Sequence, residues 1–405
     1  MPVATVGQSM SEIHSSVAEN FSLTRGGPLY WLQVRFGRAK NERTRVIRRT
    51  LFAIAGTWVP LLVLSLIQGL AYGKQLQIPF LCDFAVNVRF LVAMPILILA
   101  ESSIDRQWRI LVIHFLRAGL VSETELPSFE AVIQGITRLR DRVLPEAIML
   151  AVAYGTFLFS SHTDLLMGKA SNWHYLGSGA TQALSLAGWW FIVISTPFFR
   201  FLGLRWMWRM VLWTLFLWRS ARINLRLVAT HTDMAAGLGF LSAGQKRFSP
   251  IVFAGGAVVA SQVQNAIAYE GATLTGMKFA LISYGVLAIL FLVAPLLVTT
   301  PVLLKTKRRA LLDYGALVTS HNQSFATKWI DQHAAQGDEL LGDPDASSLI
   351  DLGSSFTVVQ EMKPVPINKS TLITLAGAAA LPMVPLVILV TPADELVRAV
   401  VKMLL

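Results

Sequence analysis

An arginine inside an apolar run is the sharpest chemical feature of this chain. Arg89 lies in Phe84–Ala100, a stretch that carries no other charge. At the rise of an α-helix it sits about 8 Å along that stretch. An arginine at the centre of a bilayer costs at least ~2.5 kcal/mol, so such a side chain faces protein or water. One reading is a site for an anion or a lipid headgroup, or a gating contact. The other is that Arg89 reaches out to the interface or pairs with Glu270, at the end of a later stretch. Asp83 is an inferior partner within the same helix, because six residues turn about 240° around the axis. Glu101 marks the end of the same stretch or pairs with basic segments beyond it.

A second polar group runs from Gly255 and Gly256 to Gln262, Gln264 and Asn265, inside the apolar stretch Ile251–Ala268. Gly256, Ala260 and Gln264 share one helical face, and Ala257, Ser261 and Asn265 share the next. Such a helix either lines a watery path with its amides or packs closely through small residues and amide hydrogen bonds. A third group is His231-Thr-Asp233. Its residue types suit a metal, yet the 7 histidines are scattered and none follows a zinc-helix spacing. Asp233 is expected to cap a helix starting at Met234. Gly237 and Gly239 would then allow close approach to a neighbouring helix or the bilayer surface.

Familiar catalytic arrangements are missing from the chain. The single cysteine, Cys82, rules out an internal disulfide and a multi-cysteine metal site. The run from Gly237 to Gly244 lacks the spacing of a dinucleotide loop, and no strand precedes it. Neither a Walker motif nor a nucleophile elbow occurs. No catalytic residue, metal or cofactor is expected.

The elements that must hold these groups are helices in a membrane. Of 405 residues, 54% are hydrophobic and 15% charged, against roughly 25% charged in soluble domains. Crossing ~30 Å of hydrocarbon takes about 20 apolar residues. The stretches Leu51–Ala71, Phe84–Ala100, Pro145–Ser161, Thr181–Leu202, Ile251–Ala268, Phe279–Leu303 and Thr371–Val390 qualify. The fold class is therefore all-α and polytopic, with seven transmembrane helices and a helical cytoplasmic layer. No internal repeat of transporter type stands out.

Charge sets the orientation. Residues 1–50, 104–144, 204–250 and 304–370 carry 8, 6, 7 and 7 lysines and arginines, 28 of the chain's 35. Positive charge stays inside, so the amino end is cytoplasmic and the carboxyl end is outside. The net charge of +11 flanks apolar stretches and forms no single patch; it suits anionic headgroups as partner, not nucleic acid. No cleavable signal peptide is read in residues 1–24. The Trp-rich run from Trp206 to Trp218 is punctuated by arginines, and its indoles suit a headgroup boundary. We read it as one long helix leaving the bilayer; the alternative is an eighth crossing.

The organisation is then a basic cytoplasmic segment (1–50), a bundle of six spans (51–303), a cytoplasmic helical segment (304–370), and a last span with an outer amphipathic tail (371–405). Within the bundle region, 104–144 shows helical periodicity, and Pro127 opens its second helix. Gly337–Asp345 reads as a loop, and Pro364 and Pro366 break the chain before the last span.

The run Ile78-Pro-Phe-Leu-Cys-Asp83, then Arg89-Phe-Leu-Val-Ala-Met-Pro-Ile-Leu-Ile-Leu-Ala-Glu101, resembles a family of uncharacterised bacterial polytopic inner-membrane proteins. That family also carries a His-Pro-Asp run ending in Gly-Gly-Leu-Gly-Phe-Leu, matched here from His231 to Leu241. Asp351-Leu-Gly-Ser-Ser-Phe356, leading to Met362-Lys-Pro-Val-Pro366, is a third match. The likeness runs from Gly26 onward and departs at Thr232 for proline and at Ala236 for glycine. It implies a bacterial inner-membrane location and no particular chemistry.

Three function classes remain. Arg89 and the polar fifth stretch favour a channel or transporter for a small, possibly anionic solute, working by self-association. A scaffold or regulatory subunit that binds a partner through its cytoplasmic layer is the alternative. An intramembrane enzyme acting on lipid would need clustered His, Asp or Glu, and those residues are dispersed.

Overall fold

Capping residues and prolines decide where the helices of this chain begin and change pitch. A computed structural model describes residues 21–27, 42–73, 76–159, 172–176, 183–331 and 344–390. In chain order the main helices are α1 (Glu42–Ile67), α2 (Phe84–Arg117), α3 (Leu126–Arg140), α4 (Val143–Phe159) and α5 (Leu186–Ser220). They continue as α6 (Phe240–Tyr269), α7 (Leu274–Leu297), α8 (Thr300–Ala326), α9 (Pro344–Glu361) and α10 (Lys369–Ile388). Strands are confined, among the described residues, to an antiparallel pair, Tyr175–Leu176 with Ala183–Leu184.

Six of these helices are long and apolar enough to cross a membrane, which makes this a multi-pass membrane protein. They are α1, α2, α5, α6, α7 and α10. Each matches an expected span, though boundaries differ. α1 begins earlier and carries Arg45, Arg48 and Arg49, a basic collar, in its first turns, and α7 ends before Thr299, where the chain turns into α8. The expected third span, Pro145–Ser161, falls on α4, whose 17 residues are fewer than the ~20 a crossing needs. Its continuation, the loop expected near Gly337 and the tail from Pro392 lie outside the described residues. The Trp-rich run belongs to one unbroken helix of 35 residues, with no eighth crossing inside it.

α2 and α5 share one plan, although no internal repeat was expected. Each starts on a side-chain cap: Asp83 accepts from the Val86 N–H, and Ser185 from the Gly188 N–H. Each then widens into a π-turn, Arg89–Ala93 and Phe191–Ser195, followed by a proline, Pro95 and Pro197. Proline has no N–H to continue the ladder, and π-turns at such points frequently mark functional sites. The likeness escapes sequence comparison because it rests on cap and proline positions rather than on matching side chains. Phe90 of one π-turn meets Phe191 of the other edge-on at 6.4 Å.

At the end where the collar lies, the helices run on into a helical layer with an aromatic core. Trp108 packs on Trp206 and Trp213, and Phe115 on Phe129, Phe216 and Phe240. Trp206 and Trp213 are buried against protein rather than turned outward to headgroups. The layer supplies apolar partners that a bare bilayer surface would not. Residues 21–27 dock on it: Phe21 packs on Phe216 with its ring tilted, and the buried Asp105 accepts from the Ser22 hydroxyl and the Leu23 N–H. α3 opens with Pro127 in its first turn, as expected.

Candidate functional site

The cap of α2 anchors a polar cluster at the end of the bundle away from the collar. Asp83 is buried, and its carboxylate is crowded with donors. Oδ1 accepts from the Val86 N–H at 3.1 Å and from Asn265 Nδ2 at 2.8 Å, while Oδ2 accepts from Trp173 Nε1 at 3.0 Å. Asn265 closes the ring by accepting from the Phe84 N–H at 3.0 Å. Tyr269, one turn further along α6, donates to the Cys82 carbonyl. These bonds tie α6 to the start of α2.

Arg89 sits one and a half turns below Asp83, half-buried, with the Phe199 ring 5.8 Å away. Among the described residues its guanidinium makes no hydrogen bond or ion pair with a protein group. Its acidic neighbour is Asp83, close enough for electrostatic interaction, and the Arg200 cation is also within electrostatic reach. The expected pairing with Glu270 does not occur, because Glu270 is exposed beyond the end of α6. Asp83 escapes the 240° argument because it precedes the helix with extended backbone, ψ 92°, and so is not bound to the helical rotation.

His174 is the neighbour that sequence reading missed. It is buried, stacks on Trp173 at 3.9 Å, and places Nδ1 3.1 Å from Asn172 Oδ1. That contact requires the Nδ1 proton, leaving Nε2 as a lone pair, buried without a hydrogen-bond partner. Burial pushes the imidazole down to about 4, Asp83 opposing and the Arg89 charge adding to the fall. At neutral pH the positive charge here thus belongs to arginine alone. Nothing in the spacing of a lone histidine between two spans signals this arrangement.

The remaining fifth-span residues divide. Gly256 packs so closely that an added Cβ would lie 2.9 Å from the Ala379 carbonyl of α10, and Gly255 abuts the Tyr284 ring of α7. Close packing therefore accounts for the glycines, and hydrogen bonding for Asn265. Gln264 is half-buried with Oε1 unpartnered, and Gln262 faces outward from the bundle.

His231 and Asp233 stand apart, at the collar end. No helix starts at Met234, contrary to expectation; the chain loops until Phe240. The Asp233 carboxylate organises that loop by accepting from the N–H groups of Ala235, Gly237 and Gly239 at 2.8, 3.1 and 2.7 Å. Those three bonds hold its pKa below the usual carboxylate value although desolvation opposes them. Gly239 is required because a Cβ would strike Asp233 itself, and Gly237 takes φ 93° against Leu120. The loop borders a cavity of about 200 Å³ with His114, Arg226 and Phe240. Among the described residues no group of three His, Cys, Asp or Glu side chains converges on a metal position.

A second arginine cluster, also missed as a unit, lies where α1, α2 and α5 reach the collar end. Glu101 is buried and accepts from Arg209 at 2.9 Å and from Arg49 at 2.8 Å. Arg205 stands within electrostatic reach of both. Glu101 does pair with the basic segments. No protein-family model, curated protein or solved structure matches the chain.

Proposed function

We infer that this chain is a bacterial inner-membrane transport protein that takes a small anion at Arg89. The observation that carries the reading is an arginine with no ion pair among the described residues, inside a crossing helix, beside a carboxylate already occupied by three donors. An intramembrane cation left in that state is poised for an anion in a pocket or path. His174 Nε2 offers an acceptor nearby, which suits an anion that also bears a hydroxyl.

Seven crossings suit this reading. α4 starts at the collar end, where Glu146 lies within electrostatic reach of Arg205, and the chain reappears at Asn172 paired with Ile78 at the opposite end. Together with the charge bias, this supports a cytoplasmic amino end and an external carboxyl end. Gln262, an amide facing outward some 10 Å from the end of α6, supports self-association through that helix.

Flux of radiolabelled anions into proteoliposomes tests the proposal. Arg89→Ala should lower uptake at least tenfold, and Arg89→Lys should retain part of it. Uptake that is equal in wild type, Arg89→Ala and Gln264→Leu would remove the pathway. A scaffold role has one specific support, the paired α8 and α9 helices with Leu312, Leu317 and Ile350 exposed; a soluble partner captured in stoichiometric amount would favour it.

A further inference from the structure

The arginine cluster at the collar end has more positive charge than its carboxylate can use. Both oxygens of Glu101 are taken, Oε1 by Arg209 and Oε2 by Arg49. Arg209 is 2% exposed and its guanidinium lies over the Trp206 ring, 4.8 Å from its centre. Trp206 is itself pinned, donating Nε1 to the Leu97 carbonyl. One fork nitrogen of Arg209, Nη1, is left buried without a hydrogen-bond partner. A buried donor left unsatisfied costs ~1–3 kcal/mol, and more for a charged group.

Arg205, one turn earlier on α5, is 9% exposed. Among the described residues it makes no hydrogen bond or ion pair; its closest ring is Phe201, 6.0 Å away. Arg209, Glu101, Glu146 and Arg49 all lie within electrostatic reach of it. Among the described residues three guanidinium groups thus gather around Glu101, with donors of Arg205 and Arg209 unused.

Depth identifies the ligand class. Glu101 lies about 25 Å along α2 from Phe84, and Arg205 about 28 Å along α5 from Leu186. Hydrocarbon is ~30 Å thick, so the cluster sits where lipid phosphates sit. A guanidinium fork matches phosphate oxygens two at a time. We propose that Arg205 and Arg209, positioned by Glu101 and Trp206, bind a phosphate group at the collar-side face of the bundle. The group belongs either to an anionic lipid headgroup or to a free phosphate-bearing solute. This site is independent of Arg89, which lies at the opposite end of the bundle.

Native mass spectrometry and thermal melting of the full chain in neutral detergent test this. The ligands are short-chain phosphatidylglycerol, phosphatidylcholine of the same chain length, and inorganic phosphate. Wild type should retain one phosphatidylglycerol per chain and melt several degrees higher with it. Arg205→Gln should weaken binding about tenfold while leaving the ligand-free melt close to wild type, because Arg205 holds no ion pair to lose. Arg205→Lys, which keeps the charge and loses the fork, should fall between them. Stabilisation by phosphatidylglycerol alone assigns a headgroup site, and stabilisation by inorganic phosphate as well assigns a site for free phosphate. Equal binding of both lipids with no response to phosphate, or binding that both variants leave untouched, overturns the proposal.

Discussion

Asp233 shows how a single carboxylate can replace a run of secondary structure. Its three backbone bonds fix a loop in which Met234 and Ala236 both take φ 54°, a region that disfavours residues with a Cβ. Because the folded-state pKa of Asp233 is depressed, its contribution to stability is full above the ordinary carboxylate value near 3.9. That contribution is lost as pH falls through the lower folded value. Melting the detergent-solubilised protein from pH 6 to pH 3 should show the decline, and Asp233→Asn should flatten this part of it while lowering stability at pH 6. An unchanged pH slope in the variant would mean that the carboxylate's charge does not hold the loop. The sequence led to a helix cap at Asp233, and no helix starts there. It could not show that the capped donors belong to a loop, because αL backbone at alanine has no signature in residue type.

Helix by helix, the sequence was most legible where hydropathy alone decides. The six long spans were all expected, and α2 begins at Phe84 as read. What hydropathy could not resolve was which small residues touch, since packing depends on the rotation of each helix about its axis. Gly256 and Gly285 illustrate the difference. A Cβ at Gly256 would press on the Ala379 backbone oxygen at 2.9 Å, whereas at Gly285 it would meet nothing within 4 Å. A backbone atom cannot swing aside, so a larger side chain at Gly256 must part α6 from α10. Gly256→Leu should therefore destabilise by about 2 kcal/mol, within the range for overpacked cores, and Gly285→Leu should be close to neutral. Thermal melts of the two variants side by side decide the matter. Equal losses would mean that α6 and α10 do not pack at that register. The polar face of α6 was legible as a pattern, yet its two readings separated only when Asn265 met Asp83 and Gln264 did not find a partner.

Across the whole molecule, sidedness follows from charge sorted by the bilayer, and the chain's one thiol offers a direct check. Cys82 is exposed and lies just ahead of α2, at the end of the bundle opposite the basic collar. If positive charge stays inside, that end faces out. A membrane-impermeant maleimide should then label Cys82 in intact cells. In a Cys82→Ser background, Ser320→Cys on the exposed surface of α8 should label only after the cells are permeabilised. The two positions are separated by α2, α4, α5, α6 and α7, so opposite accessibility requires an odd number of crossings among them. With α2, α5, α6 and α7 long enough to span, opposite labelling requires α4 and its continuation to cross as well. Labelling of both positions from outside would instead leave four crossings between them and exclude the seven-span arrangement. It would also place the basic segment 304–370, with its 7 lysines and arginines, on the side that the charge bias does not allow.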